Sequence, residues 1–81
     1  MNIYLVTYSG NSSRFKDFSF EVLSSSRRKA VEIAYQKIMD DNFFPKEDGT
    51  IEDCDGYIIA EKNDDLIKYD GGFFSAELID R

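Results

Sequence analysis

Between residues 24 and 41 the spacing of the apolar residues changes from two to 3.6. In "SSSRRKAVEIAYQKIMDD", Ala30, Val31, Ala34, Tyr35, Ile38 and Met39 sweep about half of a helical wheel at about 100° per residue. Lys29, Glu32, Gln36 and Asp40 fill the rest. A lone helix with such a stripe has no second helix to bury it on, so it must lie on a sheet. Ser25 or Ser26 can cap its first turn through a hydroxyl, and Arg28 can pair with Glu32 four residues on. Arg27, Arg28 and Lys29 place three cations in the first turn, where the helix dipole opposes them. That points either to chance or to a neighbour that uses them.

The flanking segments supply the sheet. "NIYLVTYS" alternates Ile3, Leu5 and Thr7 against Tyr4, Val6 and Tyr8, with apolar material on both faces. After the turn-formers "SGNSSR", Phe18, Phe20 and Val22 alternate with Asp17, Ser19 and Glu21, completing a hairpin in which Ile3 and Leu5 are expected to join the inward side. Pro45 forces Phe44 out of the helical region and ends the helix. "GYIIAEK" and "DLIKYD" read as short strands joined at Asn63-Asp64. Asp70-Gly71-Gly72 turns the chain into "FFSAELI", with Phe74, Ala76 and Leu78 on one side.

The expected fold is therefore α+β: an antiparallel sheet of four to five strands packed against one helix, in the order ββαββ(β). It forms a single domain over residues 1–81, with the helix from about Ser26 to Asp41. A hydrophobic content of 42% is ample for a packed core. That core is expected to include Leu5, Phe18, Phe20, Val22, Val31, Ala34, Ile38, Ile58, Phe74 and Leu78. No apolar run approaches the roughly 20 residues of a membrane span, and "MNIYLVTYSG" lacks the start of a secretory signal, so a cytoplasmic chain is expected.

Charge is unevenly placed. Residues 1–39 hold three acids against six bases, and residues 40–81 hold thirteen acids against four bases. The densest stretch, "DDNFFPKEDGTIEDCDGYI", contains two Asp-Gly steps, Asp48-Gly49 and Asp55-Gly56. Each resembles the centre of an EF-hand loop. With Gly49 at the sixth position, Phe44 and Lys46 fall on ligand positions. With Gly56 there, Ile51 opens the loop and Lys62 closes it. A calcium ion needs six to eight oxygens, so neither frame suffices, and no metal site or cofactor is expected.

Catalysis is not expected either. The chain has no histidine, the commonest general base. Ser24, Ser25 and Ser26 have no partner to activate them, and their place before a helix favours capping. Cys54 is the only cysteine, which excludes an internal disulfide, and its acidic neighbours oppose a thiolate. Tyr4, Tyr8, Tyr57 and Tyr69 could make an aromatic platform for single-stranded nucleic acid, but such readers need a basic groove and this half of the chain is acidic. Direct nucleic-acid binding is therefore not expected. A second apolar surface or a dimer contact is the preferred reading of those tyrosines.

What remains is the acidic surface, carried by Asp40, Asp41, Glu47, Asp48, Glu52, Asp53, Asp55, Asp64 and Asp65. A rigid array of carboxylates presents a negative field to any groove built for phosphates and can occupy it. In size, acidity, lack of catalytic residues and strand–strand–helix–strand order, the chain resembles small phage-encoded anti-defence proteins, anti-CRISPR proteins in particular. The resemblance implies a non-catalytic inhibitor that binds a larger nuclease complex in the host cytoplasm, some of that group acting by imitating DNA. The expected partner is a larger protein or nucleoprotein complex with a basic surface. The alternative is a small oligomerising or adaptor module, a homodimer through Tyr4, Val6 and Tyr8, whose acidity serves only solubility.

Overall fold

The chain's alternating segments pair as two hairpins laid side by side. The structure, a computed structural model, describes residues 1–10, 18–39 and 43–79. Strand β1 (Asn2–Ser9) pairs antiparallel with β2 (Phe18–Ser24) on one side and with β7 (Gly72–Ile79) on the other. A short strand, β6 (Ile67–Tyr69), pairs with the first residues of β7, giving a four-stranded sheet in the order β2-β1-β7-β6. Helix α1 (Arg27–Met39) packs across this sheet, reaching all four strands. Three further short strands, β3 (Phe43–Pro45), β4 (Ile51–Asp53) and β5 (Ile58–Ala60), form a separate antiparallel meander. The fold is α+β as the sequence implies, with its strands divided between two sheets.

The helix starts where expected. The Ser26 hydroxyl accepts the Lys29 backbone N–H at 3.1 Å, which makes Ser26 the N-cap. One turn on, Arg28 and Glu32 pair at 3.4 Å. Val31, Ala34 and Tyr35 are buried, with Ile33 and Ile38 packed at the margin. Tyr35 joins the two sheets. Its ring meets Phe43 of β3 edge-on at 5.5 Å and Phe74 of β7 at 5.6 Å.

The inward face of β1 is opposite to the sequence expectation. Tyr4, Val6 and Tyr8 are buried, and Leu5 lies on the far face between Glu21 and Glu77. Both alternating sets of "NIYLVTYS" are apolar, so alternation alone leaves the phase open. The neighbours decide it. Val6 stands opposite Phe20 and Ala76, and Tyr4 opposite Val22 and Leu78, so the helix-facing surfaces of all three strands coincide only in this phase. Burying two tyrosines there also buries more apolar area than Ile3 and Leu5 would. Tyr8 finds its polar partner internally, its hydroxyl donating to the Tyr69 carbonyl at 2.9 Å. Gly72 makes room for that ring, since a Cβ there would stand 2.5 Å from the Tyr8 hydroxyl oxygen.

Two other core expectations fail locally. Ile58 is 48% exposed and Ile59 takes the inward place. The β4–β5 register shifts between Ile51 and Glu52, a β-bulge that turns two consecutive residues, Ile59 and Ala60, inward. Leu78 is 47% exposed because β6 pairs with β7 only at Gly72–Phe74, which leaves the second half of β7 at the margin of the sheet. Val22, Val31, Ala34 and Phe74 are buried as expected, and Phe20 and Ile38 pack against them. The Phe18 side chain lies outside the described residues.

Candidate docking surface

The small sheet is the acidic end of the molecule, and its two Asp-Gly steps answer to turn geometry. In the first, the Gly49 N–H donates to the Lys46 carbonyl and the Lys46 N–H to the Thr50 carbonyl. In the second, the Gly56 N–H donates to the Asp53 carbonyl and the Asp53 N–H to the Tyr57 carbonyl. Both are three-residue hairpin loops of the same kind, each needing a positive φ at its glycine, 94° at Gly49 and 84° at Gly56. Strands flank both loops, where an EF-hand needs helices. Among the described residues, the acids form no group of three or more placed to hold a metal ion.

Two of the expected site residues shape these loops. Asp48 Oδ1 accepts the Thr50 hydroxyl at 2.6 Å and the Thr50 backbone N–H at 3.0 Å. Those two bonds, the hydroxyl first, hold the Asp48 carboxyl below its ordinary pKa of 3.8. Asp53 Oδ1 accepts the backbone N–H of Asp55 at 3.0 Å and of Tyr57 at 2.9 Å. Asp48 and Asp53 are therefore turn-forming residues as well as charges.

The meander sorts the acids into two clusters. Glu47 and Asp48 sit in the β3–β4 turn, and Asp64 and Asp65 in the β5–β6 loop at the same end of the sheet. Arg28 fastens this end to the helix. Its Nη2 donates to the Gly49 carbonyl at 2.6 Å, and its Nη1 to the carbonyls of Glu61 at 2.8 Å and Asp64 at 3.0 Å. The cation that opposes the helix dipole is thus used by two acidic loops. Asp53 and Asp55 mark the opposite end, at the β4–β5 turn. Glu52 lies between the ends and pairs with Lys46 at 3.5 Å. Asp40 and Asp41 lie outside the described residues.

Sequence reasoning missed the apolar part of this surface. Glu52 stands opposite Phe44 on one side and Ile58 on the other, so the three form a row across the outward face of the small sheet. Phe44 is 49% exposed, and Tyr57 at the adjoining turn is exposed as well. Pro45 signals that Phe44 is extended, but the bulge that turns Ile58 outward has no signature in a run of apolar residues. No aromatic platform assembles from Tyr4, Tyr8, Tyr57 and Tyr69, because Tyr4 and Tyr8 are buried, Tyr69 is partly buried and only Tyr57 of the four is exposed.

Comparison of the chain with protein-family models, with curated proteins and with solved structures finds no match. Among the described residues, no helix is long and apolar enough to cross a membrane.

Proposed function

We propose that this chain is a non-catalytic acidic docking protein that occludes a nucleic-acid-binding channel on a larger protein or nuclease complex, as its resemblance to the anti-CRISPR proteins implies. The observation that carries this reading is the outward face of the small sheet. There the exposed Phe44 and Ile58 stand on either side of the Lys46-paired Glu52, between turns that hold carboxylates in fixed positions. Protein interfaces combine a few apolar anchors with polar and charged groups, and this face offers both. Single exposed ion pairs contribute only about 0–1 kcal/mol each, so the acids chiefly speed and steer encounter while Phe44 and Ile58 set the dwell time.

The test is capture of a partner followed by competition with DNA. Glu47→Gln with Asp65→Asn removes charge without touching the turn-forming Asp48 and Asp53. It is expected to slow association about threefold or more and to flatten the salt dependence. Phe44→Ala with Ile58→Ala is expected to speed dissociation about tenfold. Affinity that does not change with salt, or a ternary complex with DNA still in the channel, would overturn the proposal. The alternative of a homodimer loses its first motive with the burial of Tyr4, Val6 and Tyr8. It passes to the face of the four-stranded sheet turned away from the helix, where Leu23, Ile3 and Ile79 lie in one row.

A further inference from the structure

The two acidic ends of the small sheet differ in what lies beside them. At the β4–β5 turn an open groove of about 810 Å³ runs between that turn and the β6–β7 turn. Its inner surface reaches Tyr35 and Ile59, both buried, and the partly buried Tyr69. Asp53 and Asp55 line one wall and Asp70 the other, with Lys68 as the single base. The groove thus offers aromatic and aliphatic surface within walls of net negative charge. That combination suits a flat cation on an apolar stem: the stem covers Ile59, the charge meets the carboxylates, and the plane stacks on tyrosine.

We propose that this groove receives an arginine side chain of the docked partner. This rests on the reading of the chain as a docking protein for a basic surface, and it names the contact that gives the complex its register. Arginine fits better than lysine because a guanidinium is planar, stacks on a ring and meets a carboxylate with two parallel donors, whereas an ammonium is a compact and strongly hydrated point charge. Asp55 is the carboxylate best placed for this. It is exposed on the groove wall, and its backbone N–H is the group that its own turn uses. Lys68 lines the same groove, and its charge opposes a second cation there.

The test uses the full chain, labelled with nitrogen-15, titrated with a blocked Gly-Arg-Gly peptide. Parallel titrations use peptides carrying citrulline or lysine in place of arginine, and spermidine. The arginine peptide is expected to shift the amides of Cys54, Asp55, Gly71 and Gly72 saturably, and the neutral citrulline peptide to leave them still. Asp55→Asn and Tyr69→Leu should each weaken arginine binding by about three- to tenfold, and Lys68→Gln should strengthen it. If Tyr69→Leu loses its dispersed spectrum, the exposed Asp55→Asn decides alone. Equal shifts at Glu47, Asp48 and Asp65 would mean diffuse ion binding and overturn the proposal. Lysine, spermidine or citrulline binding as tightly as arginine would do the same. Failure here leaves the docking reading to its own test, because Glu47 and Asp65 lie at the other end of the sheet. Loss of the docking reading would in turn leave a measured arginine site standing.

Discussion

Asp48 serves its own turn before it serves any partner, and that order has a measurable consequence. The Thr50 hydroxyl and backbone N–H bond the charged form of its carboxylate, so the folded-state pKa lies below the ordinary 3.8. A carboxyl depressed on folding contributes stability that is fully present above its unfolded pKa and is lost as pH falls through the folded value. Carbon-13 titration of the Asp48 carboxyl is therefore expected to show a midpoint below 3.8, with the β3–β4 turn loosening under further acidification. Thr50→Val removes the hydroxyl and keeps the N–H, so the midpoint should rise part of the way back. A midpoint at or above the ordinary value in the native protein would show that the turn does not depend on this charge. The same logic applies to any charge-neutralising study of this surface. Removing Asp48 or Asp53 alters loop shape as well as field, whereas Glu47, Asp55 and Asp65 isolate the field.

Helix α1 meets the small sheet through the Tyr35 ring and, at its N-terminal end, through one guanidinium, and this polar contact belongs to elements, not to a pair of residues. Arg28 satisfies three backbone carbonyls in two loops with a geometry that only a fork of donors can match. Arg28→Ala is expected to cost about 1.5–3 kcal/mol in urea unfolding, and Arg28→Lys to recover less than half of it. The exposed neighbour Arg27→Ala should stay within about 0.5 kcal/mol of the parent. Equal losses at Arg27 and Arg28 would show that total charge matters here and the hydrogen bonds do not. The sequence displayed the cationic turn as an anomaly without showing its purpose, because carbonyl acceptors leave no mark in side-chain composition. Capping, the Arg28–Glu32 pair and the Asp-Gly turns were legible, since each depends on residues at most four apart. The row Phe44–Glu52–Ile58 and the groove beside Tyr69 were not, since they depend on strand register and on a bulge.

For the molecule as a whole, the class of fold followed from one amphipathic helix that had to find a sheet, but which face of β1 it found did not. Period two divides "NIYLVTYS" into two sets that are both apolar, and the decision falls to residues far away: Phe20, Val22, Phe74 and Ala76 on one side, Glu21 and Glu77 on the other. The face turned away from the helix is therefore one on which Leu5 is flanked by two acids, and that arrangement can be tested at one position against its neighbour. Leu5→Lys puts a cation directly opposite Glu21 and Glu77 in the two adjoining strands. It should leave stability unchanged or raise it by up to about 1 kcal/mol. Val6→Lys puts the same charge into a fully buried position with no partner and should abolish cooperative thermal unfolding. The reverse ranking would restore the phase in which Ile3 and Leu5 face the helix. Sedimentation of the Leu5→Lys protein reads the remaining question from the same sample. A parent that dimerises through Leu23, Ile3 and Ile79 should become monomeric with a lysine in the middle of that face. A dimer that survives the change must be held by another surface.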